Sequence, residues 1–292
     1  MSGRPLVSIV TPSFNAAGFI ERTIRSVLSQ DYPYIEYRVM DGGSTDGTLD
    51  ILRTYGDRLQ FVSERDSGAP QAINRGFRLC RGTIIGWLSA DDTYLPGAIS
   101  QAVHQLFRHP AAGAVYGNAF WTDQDDQIIG PYPTEPFCRE RLARECFICQ
   151  PACFMRTEAL LRSGGLDETL QLAFDYDLWI RVSEKSAFQH VPEYWATSRM
   201  HRTNKTLGQR RQVYREGMQV LSRHFGYVPV SWVFDYCSHV LNGRDQFFEK
   251  TKPSGLAYIA SLPVGWYFNP SKPFHYSREW AAILTARWNR HR

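Results

Sequence analysis

Short apolar runs alternate with amphipathic segments over the first hundred residues, and this alternation limits the possible folds more than any other feature. The runs of strand type cover residues 6–10, 37–40, 59–62 and 83–88. Between them, apolar residues recur at helical spacing, as at Ile20, Ile24 and Val27. Strands and helices in this order predict a parallel sheet with helices on both faces.

The pattern changes from Ala114 onward, where turns come closer together. Short strands are predicted at 115–116, 120–121 and 128–129. Beyond about Thr206 the chain is rich in Arg, Trp, Tyr and Phe and shows no strand alternation, which predicts a helical appendage. We therefore expect a main domain over residues 1–205 and a helical C-terminal region over residues 206–292.

Composition is typical of a folded chain. Of 292 residues, 43% are hydrophobic and 21% are charged, which suffices for a buried core and argues against disorder. The net charge of +4 suits a phosphorylated ligand and does not require nucleic acid. Because the sequence shows neither a secretion signal at its start nor a run of ~20 apolar residues, we predict a cytoplasmic protein. Its six cysteines are then expected to be reduced thiols, and Cys146, Cys149 and Cys153 to be small buried residues, with zinc binding by these three as the weaker alternative.

Polar clusters follow three of the predicted strands, at 11–15, 41–47 and 89–92. Ligands of open parallel sheets bind at the carboxyl ends of the strands, so these clusters predict one pocket. Turn formation and helix capping are the better explanation of any one cluster alone, whereas a shared pocket better explains all three together. The adjacent carboxylates Asp91 and Asp92 repel each other, and a divalent ion with oxygen ligands, Mn²⁺ or Mg²⁺, would relieve that repulsion.

Six segments together resemble the family 2 glycosyltransferases, which have the GT-A fold. They are VSIVTPSFN at 7–15, SVLSQDYP at 26–33, DGGSTDGT at 41–48, GWLSADD at 86–92, GGLDE at 164–168 and FDYDLWIR at 174–181. The resemblance covers about residues 5–205 in the order that the family requires. It implies an α/β fold, a Rossmann-like mixed sheet of GT-A type flanked by helices, with the C-terminal helices appended.

The resemblance also implies a nucleotide pocket. Its members would be Thr11, Pro12, Asn15, Asp41, Asn74, Arg75, Ser89 and Ala90. Asp41 would accept a hydrogen bond from the base, which favours uracil or another base with an imide. Ser89 departs from the family pattern, where an Asp that commonly faces the ribose is frequent.

Metal and catalytic roles are implied in the same way. Asp91 and Asp92 would hold the divalent ion, and His201 would complete its ligands or donate to a phosphate. Asp175 would be the general base that takes the proton of the attacking hydroxyl. The position before it, often Glu in the family, is Phe174 here. Asp177 is expected to make a structural hydrogen bond instead.

Three further residues are weaker predictions for diphosphate or acceptor contacts. Arg199 and Lys205 would offset diphosphate charge, or else form an ordinary exposed basic loop. Trp179 would shape the acceptor pocket or fill the core, and the core is the stronger expectation.

The C-terminal region carries one amphipathic pattern. Its apolar face would hold Trp280, Ile283, Leu284 and Trp288, and its basic face Arg278, Arg287, Arg290 and Arg292. Such a helix suits the inner face of a membrane. Packing against the main domain or a second copy of the chain explains the same pattern.

These inferences predict an inverting, metal-dependent hexosyltransferase that uses a nucleotide-sugar, most simply a UDP-sugar. Its acceptor hydroxyl would belong to a polysaccharide, a lipid-linked sugar or a glycosylated small molecule. The alternatives are a nucleotidyltransferase, which lacks its Gly- and Lys-rich loop here, and a non-catalytic protein that binds sugar nucleotides. A dinucleotide oxidoreductase is disfavoured because no Gly-x-Gly-x-x-Gly follows the first strand.

Overall fold

A computed structural model describes residues 4–242 and 254–289, with side chains given up to residue 241 and from 254 to 283. The chain divides into two compact units. The first contains Met1–Arg139 and Cys146–His201, and the second contains Glu140–Glu145 and Arg202–Arg292.

The described part of the first unit is built on a nine-stranded sheet. Its strands are β1 (Val7–Ser13), β2 (Ile35–Asp41), β3 (Gln60–Ser63), β4 (Ile84–Trp87), β5 (Thr93–Tyr94), β6 (Ala112–Thr122), β7 (Ile128–Pro131), β8 (Cys153–Arg156) and β9 (Ala187–Arg199). The helices that accompany the sheet are α1 (Ile20–Leu28), α2 (Thr48–Thr54), α3 (Ala69–Leu79), α4 (Ala98–Arg108), α5 (Arg139–Leu142), α6 (Thr157–Ser163) and α7 (Phe174–Ser183). α5 crosses the boundary between the two units.

Strand order in the sheet is β3-β2-β1-β4-β8-β6-β9-β5, with β7 paired to β6. β3, β2, β1 and β4 run parallel, whereas β8 is antiparallel to both of its neighbours. In this register Ser13 lies beside Asp41, and Val10 lies beside Trp87. The carboxyl ends of β1, β2 and β4 therefore meet at one edge, and the mixed sheet confirms the predicted α/β class.

The core lies on both faces of the central strands. Val7, Ile9 and Val10 of β1 are fully buried, as expected for a strand covered by helices on both sides. β6 is a single strand of eleven residues, although the sequence predicted two short strands in its place. The longer strand forms because β8 and β9 pair with β6 from either side, a contact that local sequence does not reveal. β8 begins at Cys153, and Cys149 and Cys153 are both buried.

The second unit is helical where it is described. After α5 its helices are α8 (Lys205–Gly208), α9 (Arg210–Phe225), α10 (Val230–Asn242), α11 (Gly255–Phe268) and α12 (Pro273–Asn289). Among the described residues, no helix combines the length and apolar character that crossing a membrane would demand.

Trp280 of α12 stacks on Tyr258 of α11, with ring centroids 4.4 Å apart. Its Nε1 donates to the Tyr258 carbonyl oxygen at 3.0 Å. This part of the predicted apolar face of α12 is thus packed against α11. Most of the remaining predicted pattern lies outside what the structure describes. This applies to the side chains of Leu284, Arg287 and Trp288 and to Arg290 and Arg292.

Candidate active site

The loops after β1 and β2 are tied together at the carboxyl edge of the sheet. Asn15 Oδ1 accepts a hydrogen bond from the Thr45 backbone N–H at 2.9 Å, and Asn15 N–H donates to Ser44 Oγ at 2.7 Å. Asn15 has a φ of 49°, a left-handed conformation that costs free energy in residues other than glycine. Asn15 therefore joins the loops after β1 and β2 at this edge of the sheet.

Asp41 ends β2 and is almost completely buried. Its carboxylate accepts four hydrogen bonds, from the backbone N–H groups of Gly43 and Ser44 and from the hydroxyls of Ser44 and Ser63. In this structure Asp41 shapes the 41–47 turn, and its predicted contact with the base stays a prediction.

Asp66 is a candidate that residue-level reasoning from the sequence did not single out. Its Oδ2 lies 2.8 Å from the position that a Cβ on Gly42 would occupy, and its Oδ1 accepts from the Gly68 N–H at 2.9 Å. Gly42 allows this approach because it has no side chain. A partly exposed carboxylate thus lies beside the 41–47 turn, where a base could donate to it. The sequence did contain a signal for this residue, since Asp41 ends β2 and Asp66 follows the neighbouring strand β3.

Asp91 and His201 meet directly. His201 Nε2 lies 3.1 Å from Asp91 Oδ2, although the two residues are 110 positions apart in the chain. The His201 ring packs on Phe19, with centroids 4.6 Å apart, which fixes its plane. Asp91 is partly exposed and lies in the stretch 88–92 that follows β4, which we call the β4 segment. A carboxylate oxygen and an imidazole nitrogen therefore converge at the carboxyl edge of the sheet.

Asp92 points into the protein. It is buried, and its Oδ1 accepts from the Arg199 backbone N–H at 2.8 Å. Burial, together with the neighbouring Asp91 charge, raises the pKa of Asp92 well above its ordinary value. In this structure the Asp92 carboxylate joins the end of β9 to the β4 segment, and the two carboxylates of the pair have different partners.

Arg199 lies behind this pair, and its side chain is fully buried. The guanidinium forms an ion pair with Asp126 and donates to the carbonyl oxygens of Asp91, Asp123 and Gln124. It also lies 5.2 Å from the Phe19 ring centroid. These contacts favour a role for Arg199 in holding the β4 segment and the β6–β7 turn, in place of the predicted contact with the diphosphate.

Asp175 is the second residue of α7 and is partly exposed. Burial of its carboxyl group raises the pKa of Asp175 to about 6, although the Tyr176 N–H, which donates to Oδ1 at 2.7 Å, acts in the opposite direction. A carboxylate of this kind can accept a proton near neutral pH. Burial raises the pKa of the Cys149 thiol, and the charges of Asp92 and Asp175 raise it further, so both carboxylates lie in the neighbourhood of Cys149.

Two other residues of α7 are internal. Asp177 is buried and forms an ion pair with Arg181 at 2.6 Å, which matches a structural role. Trp179 is fully buried and stacks on Trp87 at 5.2 Å between ring centroids. Trp179 therefore fills the core between α7 and β4, and this contact positions Asp175 relative to the end of β4.

The nucleotide candidates fall into two groups. In the first group, Thr11 is buried, and its hydroxyl lies 3.1 Å from the Tyr37 hydroxyl. Also in this group, the side-chain amide of Asn74 donates hydrogen bonds to the Leu166 carbonyl oxygen and to the Glu168 carboxylate. Asn74 thus joins α3 to the 164–168 segment. The second group consists of three partly exposed residues, Pro12, Arg75 and Ser89, together with Ala90, which is buried and follows β4. Within it, Arg75 pairs with Glu64 at 2.8 Å. Lys205 is an exposed residue of the second unit, and its predicted diphosphate contact stays a prediction.

The described residues contain no group of three or more His, Cys, Asp and Glu side chains arranged to hold a metal ion. The Asp91–His201 pair alone offers one oxygen and one nitrogen donor. The carboxylate oxygen suits Mn²⁺ or Mg²⁺, which take few protein ligands and complete their coordination with substrate phosphates and water, whereas an imidazole nitrogen is more common as a ligand of zinc, copper or iron.

The family model described as Glycosyl transferase family 2 matches residues 8–165. Among curated relatives, the chondroitin synthase of Escherichia coli is 30% identical over 207 residues, which are 70% of this chain and 30% of that protein. The chondroitin synthase of Pasteurella multocida is 26% identical over 85% of this chain and 26% of its own length. The chain thus spans less than a third of these two relatives.

Solved structures share the fold. TarS 1-349 of S. aureus in complex with UDP-GlcNAc has a TM-score of 0.63 at 14% identity, covering 92% of this chain and 82% of that one. The mannosyltransferase PcManGT from Pyrobaculum calidifontis, in complex with GDP-Man and Mn²⁺, has a TM-score of 0.58 at 19% identity. It covers 98% of this chain and 75% of that chain. At these identities the likeness establishes the fold alone, which is the predicted GT-A type.

Proposed function

Since the chain belongs to glycosyl transferase family 2, we propose that it transfers a sugar from a nucleotide-sugar to a hydroxyl acceptor. One observation carries the proposal. Asp91 and His201 converge at the carboxyl edge of the sheet, and Asp175, whose pKa is raised to about 6 by burial, lies in the first turn of the helix that packs on β4 through Trp179. Asp91 and His201 would act on the diphosphate of the donor, and Asp175 would act on the acceptor hydroxyl.

The donor is proposed to be a UDP-sugar. Asp41 and Asp66 supply carboxylate oxygens beside the 41–47 turn, and the imide N–H of uracil is a suitable donor to either of them. TarS, which shares the fold, is described in complex with UDP-GlcNAc, whereas PcManGT is described with GDP-Man. Guanine also has an imide N–H, so direct comparison of UDP with GDP tests this part of the proposal.

Asp91 and His201 are proposed to hold Mn²⁺ or Mg²⁺, with Asp92 supporting the site from behind through Arg199. When bound, the ion would offset the negative charge that develops on the departing diphosphate. The residues contribute by fixing the donor atoms: Phe19 holds the His201 ring, and Arg199 holds the Asp91 backbone carbonyl.

Asp175 is proposed to act as the general base of an inverting displacement. The acceptor oxygen would form a bond to the anomeric carbon as the bond from that carbon to the diphosphate oxygen breaks. The hydroxyl proton would pass to the Asp175 carboxylate, and the electron pair of the broken bond would leave with the diphosphate. One carboxylate on the acceptor side suffices for this step.

The acceptor is proposed to be a carbohydrate hydroxyl. Two of the curated relatives are described as chondroitin synthases, which supports a growing polysaccharide. A lipid-linked sugar or a glycosylated small molecule presents the same reacting group. The C-terminal helices are the proposed source of acceptor selectivity or of contacts with other molecules.

Thermal shift and turnover test the proposal together. Uridine and guanosine diphosphates, each with and without Mn²⁺, are added to the protein, and the rise in Tm reports binding to the folded form. Under the proposal, UDP with Mn²⁺ gives the largest rise, and slow hydrolysis of a UDP-sugar is detectable. Asp175→Asn should keep the rise and lose the turnover. Equal response to all nucleotides, or full turnover in Asp175→Asn, would refute it.

A further inference from the structure

The outer face of α11 is an exposed apolar strip. Leu256 and Ile259 are 72% and 65% exposed, and Tyr267, two turns further along the helix, is 79% exposed. Pro263 and Trp266 lie between them and are also exposed. At 100° per residue all five lie within one side of the helix. We call these five residues the α11 strip.

The opposite side of α11 is already in use. Ala257, Tyr258, Ser261 and Gly265 are buried, and the Tyr276 hydroxyl donates to the Ser261 carbonyl oxygen at 2.9 Å. α11 is therefore anchored to α12 through its inner side, and the α11 strip is left facing outward. A helix that is apolar on both sides needs a second apolar environment for its outer side.

The charge around the strip indicates which environment this is. Over the described residues 254–278, which contain α11 and the start of α12, the sequence has the cations Lys272 and Arg278 but no Asp or Glu. Lys272 and Arg278 are exposed, and Phe274, between them, is 86% exposed. Glu279, the next acidic residue, accepts a hydrogen bond from the Tyr227 hydroxyl. An apolar strip that is followed in the sequence by exposed cations, with no carboxylate between the strip and Glu279, matches a surface of anionic lipid.

We propose that the α11 strip, with Phe274 and the adjacent cations, docks this protein on the surface of an anionic membrane. The aliphatic side chains would enter the boundary of the acyl chains. Trp266 and Tyr267 would lie at the level of the head groups, where an apolar ring with a polar atom is favoured. A second copy of the chain is a poorer occupant, because a two-fold contact through this surface would bring Lys272 and Arg278 of both copies into one interface.

Vesicle flotation tests this proposal with the full chain. The vesicles are phosphatidylcholine with about one third phosphatidylglycerol, against vesicles of phosphatidylcholine alone, and anionic lipid should bind the protein several-fold better. Ile259→Ser with Tyr267→Ser should reduce binding about tenfold or more, since two exposed apolar side chains lose their burial. Phe107→Ser with Leu161→Ser, at positions 56% and 70% exposed in the first unit, is the matched control and should bind like the wild type.

A charge variant separates the two contributions. Lys272→Glu with Arg278→Glu keeps the strip and should weaken binding to anionic vesicles while leaving the weak binding to neutral vesicles unchanged. UDP-induced stabilisation without vesicles, measured on every variant, reports folding and the nucleotide site independently of lipid. Equal vesicle binding by wild type and the Ile259/Tyr267 variant would overturn the proposal. So would a dimer, seen by light scattering, that the same variant dissociates.

Discussion

Asp175→Asn should stabilise the protein at neutral pH while it abolishes transfer. The pKa of the Asp175 carboxyl rises from 3.8 to about 6 on folding because the group is buried, so the folded state disfavours its ionised form. Folding stability is then lost as the pH rises through the window from 3.8 to 6, where the folded state binds more protons than the unfolded state. Asn has no such penalty.

The pKa difference of about 2 sets an upper limit of about 3 kcal/mol on the gain in unfolding free energy at pH 7.5. At pH 4.5, only about 1 kcal/mol of that gain should remain. Asn Oδ1 can still accept from the Tyr176 N–H, so the helix start is preserved. Urea unfolding at the two pH values measures the difference.

Asp177→Asn on the same helix is the matched control. It removes the buried partner of Arg181, and it should destabilise by about 1–3 kcal/mol at neutral pH. The transfer rate of the wild type should rise with pH through about 6, as the base loses its proton. The reasoning is refuted if Asp175→Asn is no more stable at pH 7.5 than at pH 4.5, relative to wild type.

Three other substitutions have defined outcomes. Asp91→Ala should remove the Mn²⁺-dependent part of the UDP-induced rise in Tm, and an unchanged metal response would exclude Asp91 as a ligand. Asp126→Asn should lower the unfolding free energy by about 1–2 kcal/mol, because the buried Arg199 loses a charged partner. The loss is limited because Asp126 itself is partly exposed to water. As a control, Asp50→Asn removes an exposed ion pair on α2 and should cost less than about 0.5 kcal/mol. Glu36→Gln should destabilise by up to about 3 kcal/mol at pH 7. Burial alone would raise the pKa of Glu36, but hydrogen bonds from Ser8, Arg81 and Arg38 lower it from 4.5 to about 2, so the wild type's advantage should fade as the pH falls through that window.

Periodicity predicted the first four strands and their helices, because apolar spacing is a local property of the sequence. The same spacing placed the polar clusters at one edge of the sheet. The middle of the chain was harder to predict. β8 is inserted antiparallel between β4 and β6, and β6 becomes one long strand only when β8 and β9 pair with it. Such pairing depends on residues far apart in sequence.

Residue types indicated the site, but not the direction of each side chain. Asp91 and Asp92 are adjacent, yet one faces His201 and the other faces the backbone of Arg199. Arg199 is a cation with several carbonyl and carboxylate partners, and nothing in the sequence near it indicates that it is buried. Asn74 similarly joins two segments 92 residues apart. These roles follow from tertiary contacts, which a motif does not encode.

A crystal structure of the complex with UDP and Mn²⁺ would test the central proposal most directly. It should show the ion bound by Asp91 and His201 together with the diphosphate oxygens, the uracil beside the turn at 41–47, and Asp175 across an open space that a sugar can fill. Diphosphate and ion bound elsewhere on the sheet, or Asp175 facing a separate cavity, would contradict the account.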